Sequence, residues 1–111
     1  MSSDYIDFKR INAAAVTSLS AILCRLLPGG RYERSEYVVR NPTRSDTRPG
    51  SFKIRISGPR AGAWADFATG DKGGDVIALV AYFENVSQFE AAQVLAQMLG
   101  LKVVEDHDHA A

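Results

Sequence analysis

The stretch 62-GAWADFATGDKGGDVIAL-79 contains a tryptophan, a glycine-rich polar turn and an apolar segment in close succession. Residues 62–68 predict a strand that carries Trp64, and Asp75 is placed to cap a helix that runs through Phe83. Apolar positions extend nearly all round this helix, which indicates a place at the centre of a core. The stretch therefore predicts a strand and a buried helix joined by a permissive loop.

The N-terminal part of the chain predicts one helix over residues 12–27, with Asn12 as its N-cap and Pro28 just after its end. The positions expected to face the core follow the three-four spacing of a buried stripe: Val16, Leu19, Leu23 and Leu26. Cys24 lies inside this apolar run and is predicted to be a small buried residue.

Two further strands are predicted between that helix and residue 62. Residues 31–39 are rich in Tyr and Val, and residues 51–57 alternate between apolar and basic side chains. A capping box at residues 87–90 opens a last helix, with Phe89 on its inward face. The predicted fold class is α+β, with an N-terminal helix, a three-stranded antiparallel sheet and two C-terminal helices.

Length and composition indicate a single globular domain. The chain has 111 residues, of which 46% are hydrophobic, and we expect one domain over residues 1–104 and a disordered tail over residues 105–111. Residues 101–104 are a candidate short edge strand. A single cysteine excludes an internal disulfide and a Cys-rich zinc site. No apolar run approaches a membrane span or a signal peptide, so we expect a cytoplasmic protein without a membrane partner.

The charges are unevenly distributed although the net charge is zero. Residues 31–72 hold nine basic and five acidic side chains, whereas residues 73–111 hold six acids and one lysine. Basic side chains beside an aromatic ring suit single-stranded nucleic acid, because cations neutralise phosphates and the ring stacks on a base. The candidate nucleic-acid-binding residues are Arg40, Arg44, Arg48, Lys53, Arg55, Trp64 and Lys72. The alternative is a sheet face that is charged because it meets water, with Trp64 in the core.

Catalysis is not expected, because both histidines lie in the C-terminal tail, away from any nucleophile. The carboxylates of Asp66, Asp71 and Asp75 could hold a divalent metal, but caps and turns are the commoner use of aspartate. Residues 70–74 resemble a phosphate-binding turn before a helix in outline only. Residues 105–109 could chelate a metal but are more often solvated. We expect no cofactor and no metal.

The stretch from about residue 29 to residue 101 resembles the N-terminal zinc-ribbon domain of bacterial and phage DNA primases. The resemblance rests on the order and separation of short motifs: Asn41-Pro42, Pro49-Gly50-Ser51-Phe52, Gly73-Gly74-Asp75-Val76-Ile77 and Ser87-Gln88-Phe89-Glu90-Ala91-Ala92. Residues 64–70 are also similar to a Trp-x-Asp-Phe-Ala-Thr-Gly form found in some phage and plasmid primase-helicase proteins. The resemblance implies that the sheet is a degenerate zinc-ribbon-like one.

The zinc ligands of that family are absent here. Asn41 and Arg44 stand where the first Cys and the His would be, and Asp66 and Thr69 stand near the second Cys pair. We expect hydrogen-bonded turns to replace the metal. The residues predicted for this structural role are Asn41, Asp66, Thr69, Gly73, Gly74 and Asp75.

The resemblance implies a template-reading module without catalytic activity, from a phage, plasmid or other mobile element. Its expected partners are single-stranded DNA and a primase catalytic domain or a helicase domain. Two other interpretations stay open from the residues alone. One is a protein-interaction or regulatory domain that kept the fold and lost nucleic-acid binding, and the other is a small metal-dependent enzyme.

Overall fold

The computed structural model describes residues 7–44 and 50–101. Over these residues the fold is α+β, with four helices and a five-stranded antiparallel sheet. The predicted architecture of one N-terminal helix, three strands and two C-terminal helices is therefore wrong. In chain order the elements are α1 Phe8–Thr17, α2 Leu19–Leu26, β1 Arg31–Glu33, β2 Glu36–Val39, β3 Phe52–Arg55, β4 Trp64–Asp66, β5 Lys72–Gly73, α3 Val76–Glu84 and α4 Gln88–Leu99. The candidate strand at 101–104 and the tail at 105–111 lie outside the described residues, apart from Leu101.

The predicted N-terminal helix is two helices that meet at Ser18. The chain departs from helical geometry there, and the Ser18 amide donates to carbonyls of the preceding turn. The N-cap of α1 is Asp7, whose carboxylate accepts the Arg10 N–H at 3.0 Å, and not Asn12 as predicted. Asn12 instead lies within α1 and accepts the amide of Ile77 at 3.0 Å, so it caps a helix that is remote in sequence.

The sheet is a meander in which each strand pairs with the next one along the chain. The predicted strand 31–39 is a hairpin, because Arg34 adopts a left-handed backbone with φ of 57° and reverses the chain between β1 and β2. The last strand, β5, lies in what the sequence predicted to be a loop and pairs with β4. These two differences raise the strand count from three to five.

One face of the sheet packs against the helices. Phe52, Ile54 and Trp64 point into this core, and α3 contributes four buried residues from its first turns. Helix α4 begins with the predicted capping box, in which Ser87 and Glu90 bond reciprocally. None of the helices in the described ranges has the length and apolarity that a membrane span requires.

Three side chains predicted to be buried are exposed instead. Cys24 is exposed on α2, Val16 is 37% exposed and Phe89 is 50% exposed. The break at Ser18 changes the phase of the buried stripe, so that Ile22 and Leu27 are buried together with Leu23.

Candidate nucleic-acid interface

The outer face of the sheet carries the basic side chains of the central strands. In β3, Phe52 and Ile54 are buried, so Lys53 and Arg55 project to the opposite side. The register pairs Lys53 with Ala65 and Ala65 with Lys72. Because directly opposed residues share a face, both lysines project from the outer face with a small side chain between them.

A groove of about 580 Å³ runs along this outer face. Its charged lining consists of four basic residues and one acid: Lys53, Arg55, Arg60, Lys72 and Glu36. The Lys53 Nζ lies 3.9 Å from the Glu36 Oε1, at the limit of an ion pair, and both side chains are about one-third exposed. Water weakens such a contact strongly, so Lys53 stays able to meet a phosphate. The groove has a net charge of +3 from these residues.

The exposed aromatic ring of this surface is Phe67, which is not among the residues predicted from the sequence. Its side chain is 70% exposed and lines the groove. The Lys53 Nζ lies 5.8 Å from the ring centroid, within the range of a cation–π contact. The Phe67 N–H donates to the Ser51 carbonyl at 2.8 Å, which holds the backbone of this residue beside β3. Phe67 is two residues after Ala65, and residues two apart in a strand project from the same face. This spacing is the feature of the sequence from which the orientation of Phe67 could have been predicted.

Trp64 lies in the core and does not offer a stacking face, which corrects its predicted role. It is 6% exposed and packs against Tyr82, with ring centroids 4.7 Å apart, and against Phe52 at 6.2 Å. On β4 it shares the inward face with Asp66, and its cross-strand partner is Gly73. A Cβ on Gly73 would lie 2.5 Å from the indole ring, so the glycine makes room for it.

The remaining predicted DNA-binding arginines occupy different environments. Arg40 is exposed just after β2, and Arg48 lies outside the described residues. Arg44 is bound to a buried carboxylate: its Nε donates to the Asp66 Oδ2 at 2.9 Å, and a terminal nitrogen donates to Oδ1 at 3.2 Å. The same guanidinium donates to the Ser51 hydroxyl at 2.7 Å. These contacts give Arg44 a structural role.

Asp66 is the centre of a polar cluster that joins the loop at residues 41–44 to the loop after β4. Its side chain is fully buried. Besides the two bonds from Arg44, the carboxylate accepts the Asn41 Nδ2 at 2.7 Å and the Ala68 N–H at 2.8 Å. Four donors therefore surround one buried charge, which is the condition under which burial of a carboxylate is tolerated.

These hydrogen bonds also determine the protonation of Asp66. Burial alone would raise the pKa of its carboxyl group, but the bonds from Arg44, Asn41 and the Ala68 amide outweigh that effect. The pKa of Asp66 is therefore held well below its usual range. The carboxylate is charged at neutral pH and stays paired with the guanidinium.

A second layer of hydrogen bonds connects the cluster to α3. The Asn41 Nδ2 also donates to the Tyr82 hydroxyl at 2.9 Å, and the Asn41 Oδ1 accepts the Thr43 amide at 2.9 Å and its hydroxyl at 2.7 Å. The Tyr82 hydroxyl donates in turn to the Asp71 Oδ2 at 2.7 Å. The Asn41 side chain thus uses both its donor hydrogens and its acceptor oxygen, and the two loops are fixed to the central helix.

The glycine turn before α3 supports this cluster and does not form a phosphate cradle. The Thr69 Oγ1 accepts the Asp71 N–H at 3.2 Å. Asp75 caps α3 by accepting the Ala78 N–H at 2.8 Å, and the Asn12 Oδ1 accepts the N–H of the neighbouring Ile77. Two donors of the first turn are therefore already bonded, and the Asp75 carboxylate would repel an anion placed there.

The three aspartates considered as metal ligands each serve another group. Asp66 binds Arg44, Asp71 accepts from Tyr82, and Asp75 caps α3. Within residues 7–44 and 50–101, no three His, Cys, Asp or Glu side chains are grouped so that they could hold a metal ion.

Comparison with protein families, with curated proteins and with solved structures finds no match to this chain. The similarity to primase zinc ribbons therefore stays a prediction that rests on short sequence motifs.

Proposed function

We propose that this protein is a non-catalytic module that binds single-stranded DNA on the outer face of its sheet. The observation that carries the proposal is the groove in which Lys53, Arg55 and Lys72 lie beside the exposed ring of Phe67. Cations on a strand face neutralise successive phosphates, and an exposed ring on the same face stacks on an unpaired base. In duplex DNA the bases are already stacked on one another, so this combination favours single strands.

The proposal includes a relationship to the template-reading domain of primases. Its support is that three of the four positions that stand in place of zinc ligands bond one another, and that the fourth, Thr69, lies in the turn that follows Asp66. Asn41 and Arg44 both bond the Asp66 carboxylate, and the Thr69 N–H donates to the Asp66 carbonyl at 3.3 Å. A cluster that joins the same two loops gives the fold a way to persist without a metal. In this role the protein acts in the cytoplasm beside a primase catalytic domain or a helicase domain.

Fluorescence anisotropy of a labelled short single-stranded oligonucleotide at low salt tests the proposal. We expect micromolar binding that exceeds binding to a duplex of equal length. The variant Lys53→Ala with Arg55→Ala should weaken binding by at least several-fold. The charge-matched control Lys9→Ala with Arg25→Ala removes two exposed cations from α1 and α2 and should bind like the wild type.

Phe67→Ala separates stacking from charge, because it leaves every cation in place. Base stacking contributes about 1–3 kcal/mol per base, which predicts a loss of affinity of roughly 5-fold or more. No binding at low salt, or equal losses in the two double variants, would refute the proposal. In the first case the exposed face would have to serve a protein partner.

A further inference from the structure

The groove of the proposed interface has an acidic side chain, Glu36, among its basic ones. Glu36 lies on β2 directly opposite Arg55 of β3, so both side chains project from the outer face of the sheet. A carboxylate in a surface that binds phosphates weakens that binding, because like charges repel. Glu36 therefore has no favourable part in phosphate binding, and the question is what else its carboxylate can bind.

Both oxygens of the Glu36 carboxylate are available as acceptors. The contact with the Lys53 Nζ is 3.9 Å long, which exceeds a hydrogen bond, and the Glu36 side chain is 31% exposed. In the described part of the chain, no hydrogen bond reaches this carboxylate. The carboxylates of Asp66, Asp71 and Asp75, by contrast, each accept a bond of 2.7–2.8 Å.

Glu36 and the exposed ring of Phe67 are close to the same ammonium group. The Lys53 Nζ lies 3.9 Å from the Glu36 Oε1 and 5.8 Å from the centroid of the Phe67 ring. The two residues lie on either side of β3, since Glu36 belongs to β2 and Phe67 follows β4. Both line the same groove. A stacking surface and a free hydrogen-bond acceptor therefore stand in one groove, on opposite sides of the same strand.

We infer that Glu36 reads the base that stacks on Phe67, by accepting a hydrogen bond from its exocyclic amino group. This inference rests on the proposed function. An ionised carboxylate has only acceptors, so it favours an amino edge and repels a carbonyl edge. Phosphates bind the groove cations, and the base extends from Phe67 across β3 towards Glu36. The groove is then selective for cytosine over uracil and thymine.

Oligo(dC) and oligo(dU) are the matched probes for this selectivity. Both are pyrimidines with the same ring size and the same O2 carbonyl, but cytosine has an amino group where uracil has a carbonyl oxygen. Adenine and guanine also carry amino groups, but their larger rings change the stacking as well. The titrations are done at mildly alkaline pH, where cytosine is neutral. One hydrogen bond predicts about 2- to 10-fold tighter binding of oligo(dC) by the wild type.

The variant Glu36→Gln tests the acceptor itself. The glutamine amide can accept from an amino group or donate to a carbonyl oxygen, so the preference for oligo(dC) should disappear. Removal of the negative charge should also strengthen binding of both probes. The matched control is Glu33→Gln, which removes an equal charge from the residue opposite Glu36 on β1. Glu33 pairs with Arg31 and does not line the groove, so this variant should keep the preference.

The outcomes separate the base contact from simple charge balance. If Glu36 serves only to balance the charge of Lys53, the two glutamine variants will change the affinities for oligo(dC) and oligo(dU) equally. Equal affinities of the wild type for the two probes, or a preference that persists in Glu36→Gln, would overturn the inference and leave the proposed function standing. Absence of binding to either probe at low salt would refute the proposed function and this inference with it, so the two failures are distinguishable.

Discussion

Replacing Asp66 with alanine removes the acceptor on which the polar cluster depends. The change leaves the Asn41 amide, which is 1% exposed, without the partner of one donor hydrogen, and it separates Arg44 from its carboxylate. Removing one partner of a buried ion pair costs about 3–5 kcal/mol. The Arg44 side chain is 30% exposed and recovers part of that through water, so the lower end applies.

We therefore expect Asp66→Ala to lower the free energy of unfolding by about 3 kcal/mol, most of it from the buried amide and the lost pair. For a domain of this size, 1 kcal/mol corresponds to a change in Tm of about 4–8 °C, and about 3 kcal/mol therefore predicts a decrease of roughly 12–24 °C. Thermal unfolding followed by circular dichroism measures it. Asp66→Asn keeps the shape of the side chain and one acceptor oxygen, so its Tm should lie between those of the wild type and Asp66→Ala. The variant Glu84→Ala, at an exposed position, is the control. A Tm for Asp66→Ala within the scatter of that control would refute the role given to the cluster.

Three further predictions concern stability. Because the pKa of Asp66 is lowered in the folded state, the carboxylate contributes fully to the free energy of unfolding above the unfolded pKa of about 4, and this contribution is lost as the pH falls below that value. Below about pH 4, the Tm of the wild type should therefore fall more steeply with decreasing pH than the Tm of Asp66→Asn. Ser87→Ala removes the hydroxyl that accepts the Glu90 N–H at 3.1 Å and should cost about 1 kcal/mol in urea unfolding. Gly73→Ala forces a methyl group against the Trp64 ring and should cost about 1–3 kcal/mol, whereas a neutral result would contradict the packing described for that ring.

Local signals in the sequence predicted the elements that depend on neighbouring residues. The alternation at 51–57 places Lys53 and Arg55 on one side of β3, and the cap at Asp75 and the box at 87–90 start α3 and α4 as the pattern indicates. These features follow from backbone geometry over a few residues, so no tertiary information was required.

The features that sequence reasoning missed depend on contacts between distant segments or on unusual backbone. Arg34 turns the first hairpin with a positive φ but without the Gly or Asn that marks such turns. Asn12 is a residue type that commonly caps helices, but its side chain accepts the N–H of Ile77 in α3, 65 residues further along the chain. Phe67, and not Trp64, is the exposed ring on the outer face of the sheet. This outcome depends on strand register, because a shift of one residue reverses which side chains face the core.

If the outer sheet face binds the phosphates and bases of a single strand, the affinity must fall as the salt concentration rises. Each phosphate contact to a single strand contributes about 0.7 to the slope of log affinity against log salt, so the four cations of the groove predict a slope of roughly −2 to −3. The variant Lys53→Ala with Arg55→Ala should reduce that slope by about 1.4, and Lys9→Ala with Arg25→Ala should leave it unchanged. A slope near zero in the wild type, or the same slope in all three proteins, would show that this face does not bind phosphates.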